Sequence, residues 1–160
     1  MNEATKQFFA KLYLQQASSD TYVDWAIACL EDGLDSKNLR MLASMNSPFY
    51  SSEIDEKFRH ALDELGISFP NKRELLLNYA KDIALKIVSG EINSIDGLNE
   101  IHSIDISLNY PKELQAWTML DGGYDPETKE WIGDFTDIQK QMLSNIIIRE
   151  AKKLAEMDFS

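Results

Sequence analysis

The two histidines and the acids near them are the residues best suited to metal chemistry. Glu56 and His60 are four residues apart, so a helix would carry both on one face. Glu100 and His102 are only two residues apart and would not share a face. A metal centre in a helical bundle draws Glu-x-x-His pairs from two helices together with further carboxylates. Because that spacing is absent, we predict two exposed histidines, no metal site and no cofactor.

The chain also lacks the patterns that accompany a catalytic nucleophile. Cys29 is the single cysteine and lies on the apolar stripe of a predicted helix, which is typical of a buried, unreactive thiol. There is no Gly-x-Ser-x-Gly sequence and no glycine-rich loop of the kind that binds phosphate. We therefore predict that the protein is not an enzyme. The less favoured alternative is a metal-dependent hydrolase that uses scattered carboxylates together with His60.

Residues 121–137, which we call the acidic-aromatic stretch, combine six acids with three aromatic residues. Lys129 is the only base among them. Aromatic side chains anchor protein interfaces through large, rigid apolar surfaces, and the surrounding carboxylates steer a partner into place. Two interpretations stay open: the aromatic residues bind a partner, or they pack on the protein's own core while the acids are solvated. The candidate partner-binding residues are Glu113, Asp121, Tyr124, Asp125, Glu127, Glu130, Trp131 and Asp134.

Most of the negative charge falls in one part of the chain. The formal net charge is −11. Residues 91–137, which we call the acidic segment, hold 11 acids and two lysines, whereas residues 1–90 hold 13 acids and 10 bases. Direct nucleic-acid binding is disfavoured, because phosphate contacts require clustered lysines and arginines. An acidic surface instead attracts a basic protein, such as a toxin.

A long apolar helix is the element around which we expect the others to pack. Apolar residues repeat at the 3-4-3-4 spacing of a helix face from Leu75 to Val88. Leu77 and Leu85 widen this stripe, so contacts on more than one side are expected. Asn71 and Gly90 are residue types that begin and end helices. The central helix is therefore predicted at about 72–89.

Further amphipathic segments predict an all-α fold: one domain, residues 1–160, forming a compact bundle of seven or eight helices. A small hairpin is expected near 124–131. Thr136 and Gln139 fit the capping box that starts a helix, and Pro111 fits the first helical position of another. Gly97 weakens the helix that contains it by about 1 kcal/mol relative to alanine. Besides the central helix, the predicted helices cover about 3–17, 20–32, 36–45, 51–65, 94–104, 111–120 and 137–157.

The second and third predicted helices are joined through the sequence Tyr22-x-x-Trp25-Ala26-x-x-x-Leu30-x-x-Gly33-Leu34-Asp35-Ser36-x-x-Leu39-x-x-Leu42-Ala43. This sequence resembles one found in small all-helical bacterial proteins of uncharacterised function. The resemblance implies a bacterial origin and a helical fold, and it assigns no catalytic residue. By analogy, a small acidic bacterial protein without an active site resembles the immunity proteins, which cap basic toxins.

The function predicted from these observations is a non-catalytic protein-binding module. Its most specific form is an immunity-like or antitoxin-like inhibitor that caps a basic partner through an acidic surface. The main alternative is a structural or scaffold protein, including a homo-oligomer formed through a helix face. No apolar run approaches the roughly 18 residues of a membrane-spanning helix, and no secretory signal pattern opens the chain. We therefore expect a cytoplasmic protein without a membrane partner.

Overall fold

The computed structural model describes residues 1–120, 124–125, 130–131 and 133–159. At Tyr124, Asp125, Glu130 and Trp131 it describes only the backbone. In the described residues the fold is all-α, as predicted. A 3-10 turn, Lys112–Leu114, precedes the seventh helix. Two short strands, β1 (Tyr124–Asp125) and β2 (Glu130–Trp131), pair antiparallel. The eight helices are α1 (Glu3–Tyr13), α2 (Ser19–Glu31), α3 (Lys37–Ala43), α4 (Ser51–Leu65), α5 (Lys72–Ser89), α6 (Ser94–Ser107), α7 (Gln115–Thr118) and α8 (Asp137–Glu156).

The chain divides into two compact units, Met1–Leu75 and Leu76–Ser160. Helix α5 begins at Lys72, so one continuous helix runs through the boundary. The predicted bounds of this helix, 72–89, are confirmed. The single-domain organisation stays a prediction. In the described part of the chain, no helix combines the length and apolar character needed to cross a membrane.

An aromatic cluster fills the core of the first unit. The ring centroid of Phe58 in α4 lies 5.1 Å from that of Phe8 in α1, 5.2 Å from that of Tyr22 and 5.2 Å from that of Trp25, both in α2. Tilted and edge-to-face pairs of this kind are favoured by the quadrupoles of the rings. Cys29 is buried in the same core, as predicted. The rings therefore hold α1, α2 and α4 together.

Local signals set the ends of several helices. The side chains of Asn2 and Ser36 accept backbone N–H groups at the starts of α1 and α3. Thr136 and Gln139 form the predicted capping box of α8. Gly66 ends α4 with a φ of 65°, a left-handed conformation that a residue without a Cβ adopts readily. Such signals are local in sequence, which is why these boundaries could be predicted.

Close helix packing organises the second unit. Gly97 of α6 is buried, and a Cβ at this position would lie 2.5 Å from both Cδ1 and Cγ1 of Ile87 in α5. The missing side chain therefore allows α6 to approach α5 closely. A hydrogen bond of 2.8 Å between the hydroxyl groups of Ser94 and Ser144 connects α6 to α8.

Two predicted helices differ from the observed ones. Helix α1 ends at Tyr13 rather than near residue 17, because Gln15 adopts a left-handed φ of 58°. The helix predicted from Pro111 to about residue 120 is broken into the 3-10 turn and the four-residue α7. Pro111 does not occupy the first helical position, since its ψ of 147° is extended and it precedes the turn.

The apolar stripes of α5 and α8 are only partly buried. Leu85 and Val88 of α5 are exposed, although both belong to the predicted stripe. Ile138 and Met142, one turn apart at the start of α8, expose 74% and 58% of their surface. Helical periodicity identifies which residues share a face, but it does not show whether another element covers that face. The expectation that other elements cover the α5 stripe was therefore wrong for Leu85 and Val88.

Candidate protein-binding surface

Four of the predicted partner-binding residues lie outside the short strands. Glu113 lies in the 3-10 turn and is half-buried. Asp134 is exposed, three residues before α8. Asp121 and Glu127 fall outside the described residues. For all four, a role in binding stays a prediction.

The other four predicted residues form the paired backbone of β1 and β2. The register places Tyr124 directly opposite Trp131, and Asp125 directly opposite Glu130. The antiparallel pair therefore brings two acids and two aromatic residues, distant by up to seven positions in sequence, to adjacent backbone positions. Their part in binding likewise stays a prediction.

Several exposed carboxylates of the acidic segment lack a cationic partner in the described part of the chain. Exposed acids of the first unit do form ion pairs, as Glu3 does with Lys6 at 3.7 Å. A carboxylate without such a pair keeps its full charge available to another molecule. The exposed acids of the segment that form no ion pair with any described residue are Glu91, Asp96, Asp134 and Asp137.

The starts of α6 and α8 carry acids in the same part of the second unit. Asp96 lies in the first turn of α6 and Asp137 in the first turn of α8, where negative charge complements the helix dipole. The hydrogen bond between Ser94 and Ser144 joins the two helices near this point. Since α8 rises about 1.5 Å per residue, Asp137 lies about 10 Å along the helix from Ser144.

Two side chains of α6 bind consecutive residues of α7. Nε2 of His102 lies 2.7 Å from the backbone oxygen of Trp117, and Oδ2 of Asp105 accepts a hydrogen bond of 2.6 Å from the hydroxyl of Thr118. We call this pair of contacts the α6–α7 clamp. His102 is half-buried, so the prediction that both histidines are exposed was wrong for this residue. The clamp holds α7 against α6.

Asp105 is the one acid of the acidic segment that the structure buries among its described residues, with 1% of its surface exposed. Its second oxygen, Oδ1, is also buried and accepts no hydrogen bond from any described residue. Sequence reasoning missed this residue, although a signal was present. Asp105 is four residues after Ile101 and seven after Leu98, so it lies on the apolar face of α6.

The other candidate chemistry has little geometric support. His60 and Glu56 are exposed on α4. Glu64, one turn after His60, accepts two hydrogen bonds from Asn38 of α3. Within the described ranges no group of three or more histidine, cysteine or acidic side chains is arranged to hold a metal ion.

Two clefts open in the first unit, and neither is lined by a residue of the acidic segment. The smaller, about 170 Å³, lies between α1 and α2 beside Lys11 and Asp24. The larger, about 400 Å³, lies between the starts of α2 and α4 and is lined mainly by hydroxyl groups, with Tyr22 and Asp55 at its wall. Burial, followed by the nearby Asp55 charge, raises the pKa of the Tyr22 hydroxyl. No histidine or cysteine lines either cleft.

Comparison of the chain with protein-family models, with curated proteins and with solved structures found no match. The site must therefore be interpreted from its own residues.

Proposed function

We propose that this protein is a non-catalytic binding module that caps a basic protein, in the manner of an immunity protein or antitoxin. The observation that carries the proposal is that four exposed acids of the acidic segment, Glu91, Asp96, Asp134 and Asp137, form no ion pair with any residue that the structure describes. Carboxylates that are neutralised within the chain would contribute little field. Unpaired ones attract a positively charged surface and suppress wrong partners.

The proposed mechanism is occlusion. The negative surface steers the partner during diffusion, and the acidic-aromatic stretch then covers the partner's cationic site. Its carboxylates occupy the positions that the phosphates of a nucleic-acid substrate would take. Trp131 and Tyr124 supply the apolar contacts that slow dissociation, because large aromatic residues dominate interface energies.

Charge reversal tests the proposal. Basic proteins captured by the immobilised chain are identified and purified, and their association rates with the chain are measured by stopped flow over a range of salt concentrations. The triple variant Asp125→Lys, Glu127→Lys and Glu130→Lys should slow association by about tenfold or more at low salt and flatten the salt dependence.

A matched control carries the same change of net charge elsewhere. The triple variant Asp20→Lys, Glu31→Lys and Glu53→Lys alters exposed acids of the first unit. It should slow association far less. Equal rates for the two triple variants would show that net charge alone acts, and the acidic-aromatic stretch would then not be the binding surface.

One observation favours a second candidate, a structural protein that self-associates through α8. Ile138 and Met142 present neighbouring apolar side chains on the exposed face of its first two turns. Sedimentation velocity distinguishes the candidates: a stable dimer that the double variant Ile138→Ser and Met142→Ser converts to monomer supports self-association. A monomer at all concentrations removes this second candidate.

A further inference from the structure

We propose that the larger cleft of the first unit, between the starts of α2 and α4, binds a neutral sugar. Such a site goes beyond the proposed function and does not depend on it, because no residue of the acidic segment lines the cleft. The juxtaposition that carries the proposal is a ring, a carboxylate and several hydroxyl groups around one opening. These groups belong to Ser18, Ser19, Tyr22, Ser51, Ser52 and Asp55.

The cleft has the size and the exposure of a small-molecule site. Its volume of about 400 Å³ falls within the range of roughly 300–1,000 Å³ that is typical of ligand pockets. The lining combines the buried Ile54 and the half-buried Tyr22 with three exposed polar residues. Those three are Ser51, Ser52 and Asp55. The cleft therefore opens to solvent between polar groups.

Tyr22 offers the cleft an aromatic ring that the core holds in place. The ring centroid lies 4.9 Å from that of Phe8 and 5.2 Å from that of Phe58, and both pairs are edge-to-face. A ring fixed in this way loses little freedom when a ligand packs on it. A sugar ring carries C–H groups on its faces and hydroxyl groups around its edge. It can therefore pack one face on Tyr22 while its hydroxyl groups reach the surrounding side chains.

Most hydroxyl groups of the cleft have no hydrogen-bond partner in the described part of the chain. The hydroxyl-bearing side chains without one are Ser19, Tyr22, Ser51 and Ser52. Ser18 differs, since its Oγ lies 3.0 Å from Oγ1 of Thr21. A serine or tyrosine hydroxyl both donates and accepts, and each hydroxyl group of a sugar does the same. One sugar can therefore bind several of these side chains at once.

The charge of the cleft favours a neutral ligand over an anion. The starts of two helices would attract an anion, but no lysine or arginine is found among the described lining residues. The carboxylate of Asp55 would repel a phosphate group. Asp55 lies 3.8 Å from the guanidinium of Arg59, and because both side chains are exposed this ion pair is weak. The carboxylate therefore remains available to accept hydrogen bonds from sugar hydroxyl groups.

The Tyr22 hydroxyl argues against a cationic ligand. Burial, followed by the Asp55 charge, raises the pKa of this group, so it keeps its proton at neutral pH and can donate. A protonated amine would bind Asp55, but it has no acceptor for that proton. A sugar supplies both donors and acceptors, and it satisfies the carboxylate and the phenol together.

The experiment uses the full chain and a panel of neutral methyl glycosides: those of glucose, galactose, mannose, xylose, fucose and N-acetylglucosamine. NMR titration follows the backbone amides of Ser19 and Ser52 and the ring of Tyr22. Sugar concentrations up to about 50 mM detect dissociation constants in the millimolar range. At least one glycoside should produce saturable shifts at all three residues. Inorganic phosphate and n-butylamine, the anionic and cationic probes, should produce far smaller ones.

Two variants locate the bound sugar. Asp55→Asn keeps the shape of the side chain and removes its charge, so it should weaken binding about tenfold. The matched control Asp24→Asn removes an exposed carboxylate of α2 that lines only the smaller cleft, and the affinity should stay nearly unchanged. Tyr22→Phe keeps the ring and removes the hydroxyl, which should weaken binding about threefold or more.

Three results would overturn the sugar site. The first is the absence of saturable shifts with every glycoside of the panel. The second is equal affinity of Asp55→Asn and Asp24→Asn, which would place the sugar outside the cleft. The third is a stronger response to phosphate or n-butylamine, which would assign the cleft to an ion. None of these measurements involves the charge-reversal variants of the acidic-aromatic stretch, so the two proposals stand or fall separately.

Discussion

At the scale of single residues, the hydroxyl of Thr5 is the hydrogen-bond partner of buried polar atoms on Trp25 and Cys29. Thr5 is buried in α1, and its Oγ1 accepts a hydrogen bond of 3.1 Å from Nε1 of Trp25. The same oxygen lies 3.5 Å from Sγ of Cys29. Thr5 therefore allows a tryptophan to be buried without leaving its N–H unpaired.

Replacing Thr5 with valine should lower the free energy of unfolding by about 1–3 kcal/mol, because the Trp25 N–H loses its acceptor while the volume is kept. Urea unfolding followed by circular dichroism measures the change. In a Trp25→Phe background the same replacement should have a smaller effect, since the donor is already absent. An equal loss in both backgrounds would mean that the hydrogen bond contributes nothing.

Glu64 of α4 provides the acceptors for the start of α3. Its Oε2 accepts from the backbone N–H of Asn38 at 2.9 Å, and its Oε1 accepts from the Asn38 side-chain amide at 2.7 Å. The Asn38 backbone donor, followed by the Ser36 hydroxyl, holds the pKa of Glu64 below its ordinary value of 4.5. Hydrogen bonds to the charged form favour that form.

A carboxyl with a lowered folded-state pKa stabilises the fold above its unfolded-state pKa, and the contribution disappears as the pH falls through the folded value. The wild type should therefore lose stability as the pH falls below about 4.5. Glu64→Gln should show a weaker loss in that window. Urea midpoints measured across the acid range test this, with Glu3→Gln as the control on an exposed acid. Parallel curves for Glu64→Gln and the wild type would contradict it.

At the scale of elements, the packing of α6 against α5 gives Gly97 a role that the sequence did not indicate. From the sequence it only weakens a helix, by about 1 kcal/mol relative to alanine. In the structure it is the position at which α6 meets Ile87 of α5, since an added Cβ would lie 2.5 Å from two Ile87 carbons. Steric fit therefore opposes helix propensity at this position.

Gly97→Ala should lower the free energy of unfolding by about 1–3 kcal/mol, because overpacking outweighs the gain in propensity. Adding Ile87→Ala should recover part of that loss by making room for the new methyl group. Thermal unfolding of the single and double variants measures both effects. A more stable Gly97→Ala protein would mean that α6 and α5 do not approach as closely as described.

The elements that could be predicted are those with local signals. Helix α5 follows from its own apolar repeat, and the start of α8 from the capping box of Thr136 and Gln139. The α6–α7 clamp could not be predicted, because Asp105 and Thr118 are 13 residues apart and no local pattern joins them. For the same reason the candidate residues Tyr124 and Trp131 could be named from composition, while their opposite placement required the backbone pairing.

At the scale of the whole molecule, charge and structure divide the chain differently. The boundary between the two units falls within α5, between Leu75 and Leu76, whereas the excess of acids begins only at residue 91. The second unit therefore combines the basic and apolar end of α5 with the acidic segment. Charge alone did not indicate where the chain would divide.

Unfolding should nevertheless be a single cooperative transition, because one helix continues through the boundary between the units. Trp25 of the first unit and Trp117 of the second are buried fluorescent reporters. Replacing the other two tryptophans with phenylalanine isolates each reporter in turn. The two denaturation midpoints should coincide after correction for the substitutions, which circular dichroism of the same variants supplies. Separate midpoints would establish two independent domains.

The contact between His102 and Trp117 has a spectroscopic consequence. A carbonyl oxygen can only accept, so Nε2 of the ring must carry hydrogen, and the uncharged imidazole is locked as one tautomer with its lone pair on Nδ1. Nitrogen-15 resonances of the two ring positions differ widely between tautomers. A single isotope-labelled histidine would thus report, in one spectrum, whether α7 is seated on α6 at any moment of a titration or a melt.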